Sequence, residues 1–149
     1  DILELARNTP SPSGKGTLIQ DQAFRERLAS WYVSAEGYTL GKYRTMTALS
    51  KGQTPGPESS IGKILNANRM PDIGNAAIEA EDHYGIISDP ALAPMQGAFH
   101  NAYMWAPGLR IAGGTDEILR NIIAERVLGL PQDVRVDKGV AYKDLPSGR

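Results

Sequence analysis

Ala112-Gly113-Gly114-Thr115-Asp116-Glu117-Ile118-Leu119-Arg120-Asn121-Ile122-Ile123-Ala124-Glu125-Arg126-Val127-Leu128-Gly129-Leu130-Pro131 reads as a glycine-rich turn that feeds straight into a helix with a start and a stop. Thr115 suits the N-cap, because its hydroxyl can accept from a first-turn N–H. Asp116 and Glu117 place negative charge at the positive end of the helix dipole. Ile118 and Ile122, with the series Leu119, Ile123 and Val127, fall on adjoining ridges and predict a broad apolar face. Gly129 fits the position after the last turn, and Pro131 prevents continuation. Two glycines ahead of a helix N-terminus let a ligand approach bare backbone N–H groups, which is where a phosphate or another anion can be held. An isolated Gly-Gly is more often only a tight turn between helices.

The rest of the composition narrows the classes. The chain has 149 residues, enough for one domain with its own core, and is 41% hydrophobic and 22% charged, as in a globular protein. A net charge of −1 and a pI near 6.1 leave no electrostatic footprint for nucleic acid. No apolar run approaches the roughly 20 residues of a membrane span, and no leader peptide is visible, so the expected location is cytoplasmic. Zero cysteines exclude disulfides, thiolate metal sites and thiol nucleophiles, and two histidines, His83 and His100, are too few for a histidine-based metal site. No metal site is expected.

Outward from the quoted stretch, the chain reads as helices. Asp1 to Arg7 looks like the end of a helix whose beginning lies upstream, and Asn8 to Gly16 is a loop by composition. Asp21 to Ser50 predicts one long helix: Phe24, Leu28, Trp31, Ala35 and Tyr38 form a helical stripe. Leu40, Tyr43, Met46 and Leu49 continue it after Gly37 and Gly41, offset enough to suggest a bend or a change of buried face. Glu58 to about Glu81 predicts a second helix, with Ile61, Leu65, Ile73, Ala77 and Ala80 on the buried face and a kink or break at Met70-Pro71. His83-Tyr84-Gly85 turns the chain, Leu92 to Trp105 predicts a third helix, and Pro107-Gly108 ends it. No stretch alternates with period two. The expected fold is therefore all-α, an up-and-down antiparallel helical bundle over 1–131, expected to lack its first helix, followed by a tail over 132–149.

The run Ala-Gly-Gly-Thr-x-Glu-Ile-x-Arg-Asn-Ile-Ile-Ala-Glu-Arg-Val-Leu-Gly-Leu-Pro resembles the C-terminal signature of the acyl-CoA dehydrogenases. The resemblance extends back to about Gln20 as a pattern of helix lengths and turns. It implies α,β-dehydrogenation of an acyl thioester, in which a carboxylate removes the α-proton while a hydride passes from the β-carbon to flavin N5. It also implies FAD as cofactor and a homo- or hetero-oligomer of such subunits. Acyl-CoA would be bound through domains absent from this chain, and electrons would go to an electron-transfer flavoprotein or similar acceptor.

Residue by residue, the resemblance carries over unevenly. Many members place a catalytic glutamate immediately before the Gly-Thr pair, where this chain has Gly113. A glycine cannot take a proton, so no catalytic residue is assigned here. The base would lie either on a helix upstream of Asp1 or on a partner subunit. Gly114 and Thr115 match the family's flavin contacts, and Glu117 stands where glutamine is frequent. A glutamate there can accept from a ribose hydroxyl but repels a pyrophosphate. A second FAD contact, donated across a subunit interface, comes in the family from a Gln-x-x-Gly-Gly turn. Its counterpart here is Glu79-Ala80-Glu81-Asp82-His83-Tyr84-Gly85, with Glu79 for the glutamine and Asp82-His83 for the glycines. The expected cofactor-binding set is thus Gly114, Thr115, Glu117, Glu79 and His83. Asp116 reads as a charge complement to the helix, and Arg120, Glu125 and Arg126 as a solvated face or an intersubunit ion pair. Trp31, Tyr32, Tyr38 and Tyr43 fit an acyl pocket or ordinary core packing equally well. The competing reading of the whole chain is a non-catalytic assembly module of the same fold that no longer binds flavin.

Overall fold

Helix α3 (Ser59–Glu81) is the spine of the molecule, and every other α-helix packs on it or on its partner α2 (Gln22–Ser50). In this computed structural model the described residues are 1–54, 56–132, 135 and 137–145, with no description of the Tyr142 side chain. The remaining α-helices among them are α1 (Ile2–Asn8), α4 (Ala98–Ile111) and α5 (Asp116–Arg126). The only strand-like pairing among the described residues is an isolated antiparallel bridge between Pro10 and Thr17. The chain is an all-α bundle.

Helix α2 starts where its cap dictates: Asp21 Oδ1 accepts from the Phe24 N–H at 3.0 Å. It runs unbroken through Gly37 and Gly41, since neither glycine is forced out of helical geometry by a neighbour. Its first half is pinned to α3. Trp31 Nε1 donates to Asp72 Oδ2 at 2.5 Å, Arg27 Nη2 donates to Asp72 Oδ1 at 3.0 Å, and Arg27 also lies over the Trp31 ring. Phe24 meets Trp31 edge to face. Ala6 and Leu18 complete this cluster with Ala76 of α3, and a second cluster joins Leu5 of α1, Ala77 of α3 and Phe99 of α4. The small side chains of Ala76, Ala77 and Gly74 allow this close approach: a Cβ on Gly74 would sit 3.0 Å from the Tyr103 backbone nitrogen.

Three expectations are corrected. The stripe Leu40, Tyr43, Met46 and Leu49 is exposed rather than buried, at 61%, 62%, 60% and 49%. Of the kink or break expected at Met70-Pro71, the break does not occur, because α3 continues through Pro71. The third helix is displaced, starting at Ala98 and running past Pro107 and Gly108 to Ile111 instead of spanning Leu92 to Trp105. Its start is set by the 3₁₀ turn Pro94–Gly97. There Met95, Gln96 and Gly97 all hold positive φ, so no α-helix can propagate from Leu92 through them. At both prolines, tertiary packing outweighs the loss of one backbone hydrogen bond.

The expected tail lies partly outside the described residues. Ahead of it the chain leaves α5 through Gly129 (φ +69), after which the Leu130 N–H returns to Ala124 O at 2.9 Å.

Candidate functional site

The α4–α5 connection is three residues long, Ala112-Gly113-Gly114, ahead of the Thr115 cap. Gly113 and Gly114 hold φ of +67 and +99, a region that side-chain-bearing residues rarely enter, and this lets the chain reverse so sharply. Gly113 has open space where a Cβ would stand, whereas a Cβ on Gly114 would make an ordinary contact with Leu119 at 3.4 Å. Thr115 Oγ1 accepts from the Ile118 N–H at 3.4 Å, as its position requires. The result is a corner of glycine backbone at the mouth of α5, exposed at Gly113 and half-buried at Gly114.

Charged side chains from two other helices converge behind this corner. Asp116, the first residue of α5, is 1% exposed. Arg110 from the last turn of α4 grips its Oδ2 with Nε and Nη2, both at 2.9 Å, and Asn68 Nδ2 donates to the same oxygen at 3.5 Å. Lys63 Nζ of α3 lies 3.9 Å from Oδ1 and donates to Gly114 O at 2.6 Å. Burial pushes the Asp116 carboxyl up. The Arg110 hydrogen bond and charge, the Lys63 charge and the Asn68 hydrogen bond together outweigh it and hold the group below the usual carboxylate range. Asp116 stands in the first turn of α5, where a carboxylate complements the helix dipole, and it is in addition a buried anchor for the turn.

Glu117 is exposed, and its carboxyl is also held low, first by its own backbone N–H and then by the Thr115 hydroxyl. Asp116 and Glu117, the two carboxylates next to the corner, are therefore weak proton acceptors, and Gly113 offers none. Arg120 is exposed too.

Glu79 and His83 stand elsewhere. Lys63 and Glu79 are separated by about 24 Å along the axis of α3, at about 1.5 Å per residue. Within one chain the two halves of the expected cofactor set do not meet. Glu79 is exposed, accepts from Asn75 Nδ2 at 2.8 Å and lies 4.0 Å from Arg27. His83 is exposed, with Nδ1 3.7 Å from Asp82 Oδ1. Asp82 holds φ +52 and ψ −125, a conformation suited to glycine. A Cβ on Gly85 would sit 2.5 Å from Ile78 O, which explains the glycine there by close packing. Beside this turn, Glu81 Oε1 and His100 Nδ1 are buried without hydrogen-bond partners among the described residues. Burial raises the Glu81 carboxyl, and the His100 charge opposes it.

The aromatic residues divide. Trp31 and Tyr32 line a cavity of about 610 Å³ between α1, α2 and α3, together with Ile2, Leu28 and Ile73. Tyr43 is exposed on the far half of α2. Sequence reasoning missed Lys63, Asn68 and Arg110. Nothing local marks them, because their common partner Asp116 is recognisable only once three helices meet.

Among the described residues no group of three metal-ligating side chains comes together, and no helix is long and apolar enough to cross a membrane.

Comparison with known proteins agrees with this architecture. The family model of the acyl-CoA dehydrogenase C-terminal domain matches residues 2–128. Acyl-CoA dehydrogenase IpdE1 of Mycobacterium tuberculosis is 31% identical over 138 residues, covering 91% of this chain and 32% of that protein. FadE34, another acyl-CoA dehydrogenase of the same organism, is 29% identical over 117 residues, covering 78% of this chain and 15% of its own length. Among solved structures, the ChsE4-ChsE5 complex from Mycobacterium tuberculosis superposes with a TM-score of 0.73 at 24% identity, over 88% of this chain and 34% of that one. The Tcur3481-Tcur3483 steroid acyl-CoA dehydrogenase gives 0.71 at 20% identity, over 89% of this chain and 33% of that one. The chain thus spans about a third or less of the length of the relatives it matches. By the match across nearly all of its helices, the chain belongs to the acyl-CoA dehydrogenase family and corresponds to that family's C-terminal helical domain.

Proposed function

We propose that this chain contributes FAD contacts and oligomer contacts to an FAD-dependent acyl-CoA dehydrogenase. The observation that carries the reading is the Gly113-Gly114 corner at the mouth of α5, exposed at Gly113 and half-buried at Gly114, with the cations Lys63 and Arg110 behind it. Backbone N–H groups at a helix start and flanking positive charge suit a phosphate or ribose. Gly114 and Thr115 would hold the cofactor, and the ionised Glu117 suits a ribose hydroxyl better than a phosphate. When bound, FAD supplies the hydride acceptor for oxidation of an acyl thioester. This chain's own part is to hold and orient it; the carboxylate base comes from elsewhere, since Gly113 has no side chain and Asp116 and Glu117 are poor bases. Glu79 and His83, far along α3, suit a contact to a cofactor held mainly by a neighbouring subunit. Reduced flavin would pass its electrons to an electron-transfer flavoprotein or a similar acceptor.

The test is flavin content. The polypeptide as encoded, purified with any partner subunits, is expected to carry FAD, read from its absorbance near 450 nm. Gly114→Val with Thr115→Ala should release it, because valine is strained at φ +99 and the Thr115 cap is removed. Flavin retained at full stoichiometry in the double variant would refute the assignment of the corner.

A second reading has specific support. Gly113, Glu79 and Asp82-His83 each depart from the family's pattern in the direction of weaker catalysis or flavin binding. A non-catalytic assembly module of the same fold would carry no flavin even in the unaltered protein, which the same absorbance measurement decides.

A further inference from the structure

The glycine corner is held from behind by a side chain that lies far from it in sequence. Lys63 Nζ donates to Gly114 O at 2.6 Å, and the side chain is only 26% exposed. In a trans peptide the carbonyl and the following N–H point in opposite directions. Holding Gly114 O against α3 therefore turns the Thr115 N–H away from α3. Arg110 fixes the next residue by gripping Asp116, so the turn is anchored on both sides of that peptide. Two glycines would otherwise make it the most freely rotating segment between α4 and α5.

We propose that Lys63 is a positioning residue of the flavin site: by holding Gly114 O it directs the Thr115 N–H toward the anionic cofactor and keeps a positive charge behind the turn. This rests on the reading of the corner as a flavin contact, which the function of Lys63 deepens. The acceptor carbonyl gives Lys63 a role distinct from that of Arg110. Arg110 secures the end of the helix, whereas Lys63 sets the orientation of one peptide plane.

The test uses the polypeptide as encoded, with any partner subunits, stripped of flavin and titrated with FAD by flavin fluorescence. Lys63→Met should weaken FAD binding by about tenfold, the scale of one charge-assisted hydrogen bond. Lys63→Arg should restore most of that loss, because arginine again offers a charged donor to Gly114 O. Lys63→Met also takes a charge from buried Asp116 and is expected to lower the unfolding midpoint, so binding is read on folded apo-protein well below that midpoint, where rescue by the conservative variant separates orientation of the turn from general stability. Gly114→Val is the comparator. If Lys63→Met binds FAD like the unaltered protein while Gly114→Val has lost it, the role of Lys63 is wrong and the site stands. If neither substitution affects binding, the site itself is wrong and the proposal goes with it. Should Lys63→Met not fold, Lys63→Gln takes its place, and full-strength binding in it counts against the proposal in the same way.

Discussion

Asp116 occupies the first position of α5, where a carboxylate commonly sits half in water beside the helix dipole. Here it is buried under two cations, and the consequence is a pH dependence of known sign. Its folded-state pKa is depressed below the ordinary value of 3.8 by Arg110, Lys63 and Asn68 acting against burial. A depressed carboxylate stabilises the fold fully above its unfolded pKa and loses that contribution as pH falls through the lower folded value. The chain is therefore expected to lose stability on acidification below about pH 4. Asp116→Asn should lower stability at neutral pH and flatten this acid limb, as followed by urea unfolding at a series of pH values. An unchanged acid limb in the variant would show that other carboxylates dominate it. The sequence already pointed to Thr115 as a cap and to the two glycines as a turn, because those roles depend on neighbours within a few residues. It did not show that Asp116 is buried, since that follows from Lys63 and Arg110, which reach it from other helices. Glu79 and His83 were legible only as a match to a pattern, and the fold puts them at the other end of α3.

At the scale of elements, the helices that were legible are those whose signals are local. Helix α2 begins at its Asp21 cap and α5 at its Thr115 cap, as the residue types imply. Those less legible were decided by contacts across the bundle. Pro71 and Pro107 are helix breakers by themselves, yet α3 and α4 continue through both, and they pack together with Gly74 against the Tyr103 backbone. The α2–α3 pairing rests heavily on Trp31, which is buried, touches Phe24 edge to face and donates to Asp72. Trp31→Ala is expected to destabilise the chain by about 3–5 kcal/mol, the range for deleting a buried aromatic. Trp31→Phe keeps most of the apolar surface and gives up the bond to Asp72, so about 1 kcal/mol is expected. Denaturant midpoints of the two variants separate ring packing from the indole hydrogen bond. Equal losses would mean that the bond to Asp72, not the ring, holds the two helices together.

For the whole molecule the question is what covers its apolar surface. The second half of α2 carries part of it, with Leu40, Tyr43 and Met46 recurring every three residues on the helix, all exposed. Burial within the chain does not account for these residues, whereas the oligomer contact proposed above would, because apolar patches of this kind mark association surfaces. The prediction belongs to the assembly. Replacing Leu40, Tyr43 and Met46 together by glutamine should lower the assembly's mass in sedimentation while changing the unfolding free energy of the dissociated chain by only about 0.5 kcal/mol per site, as for ordinary surface substitutions. The order of effects discriminates. A core role would cost stability first, and an interface role costs association first. An unchanged sedimenting mass with a large loss of stability would move these residues into the core of a rearranged bundle, and it would remove α2 from the contact surface.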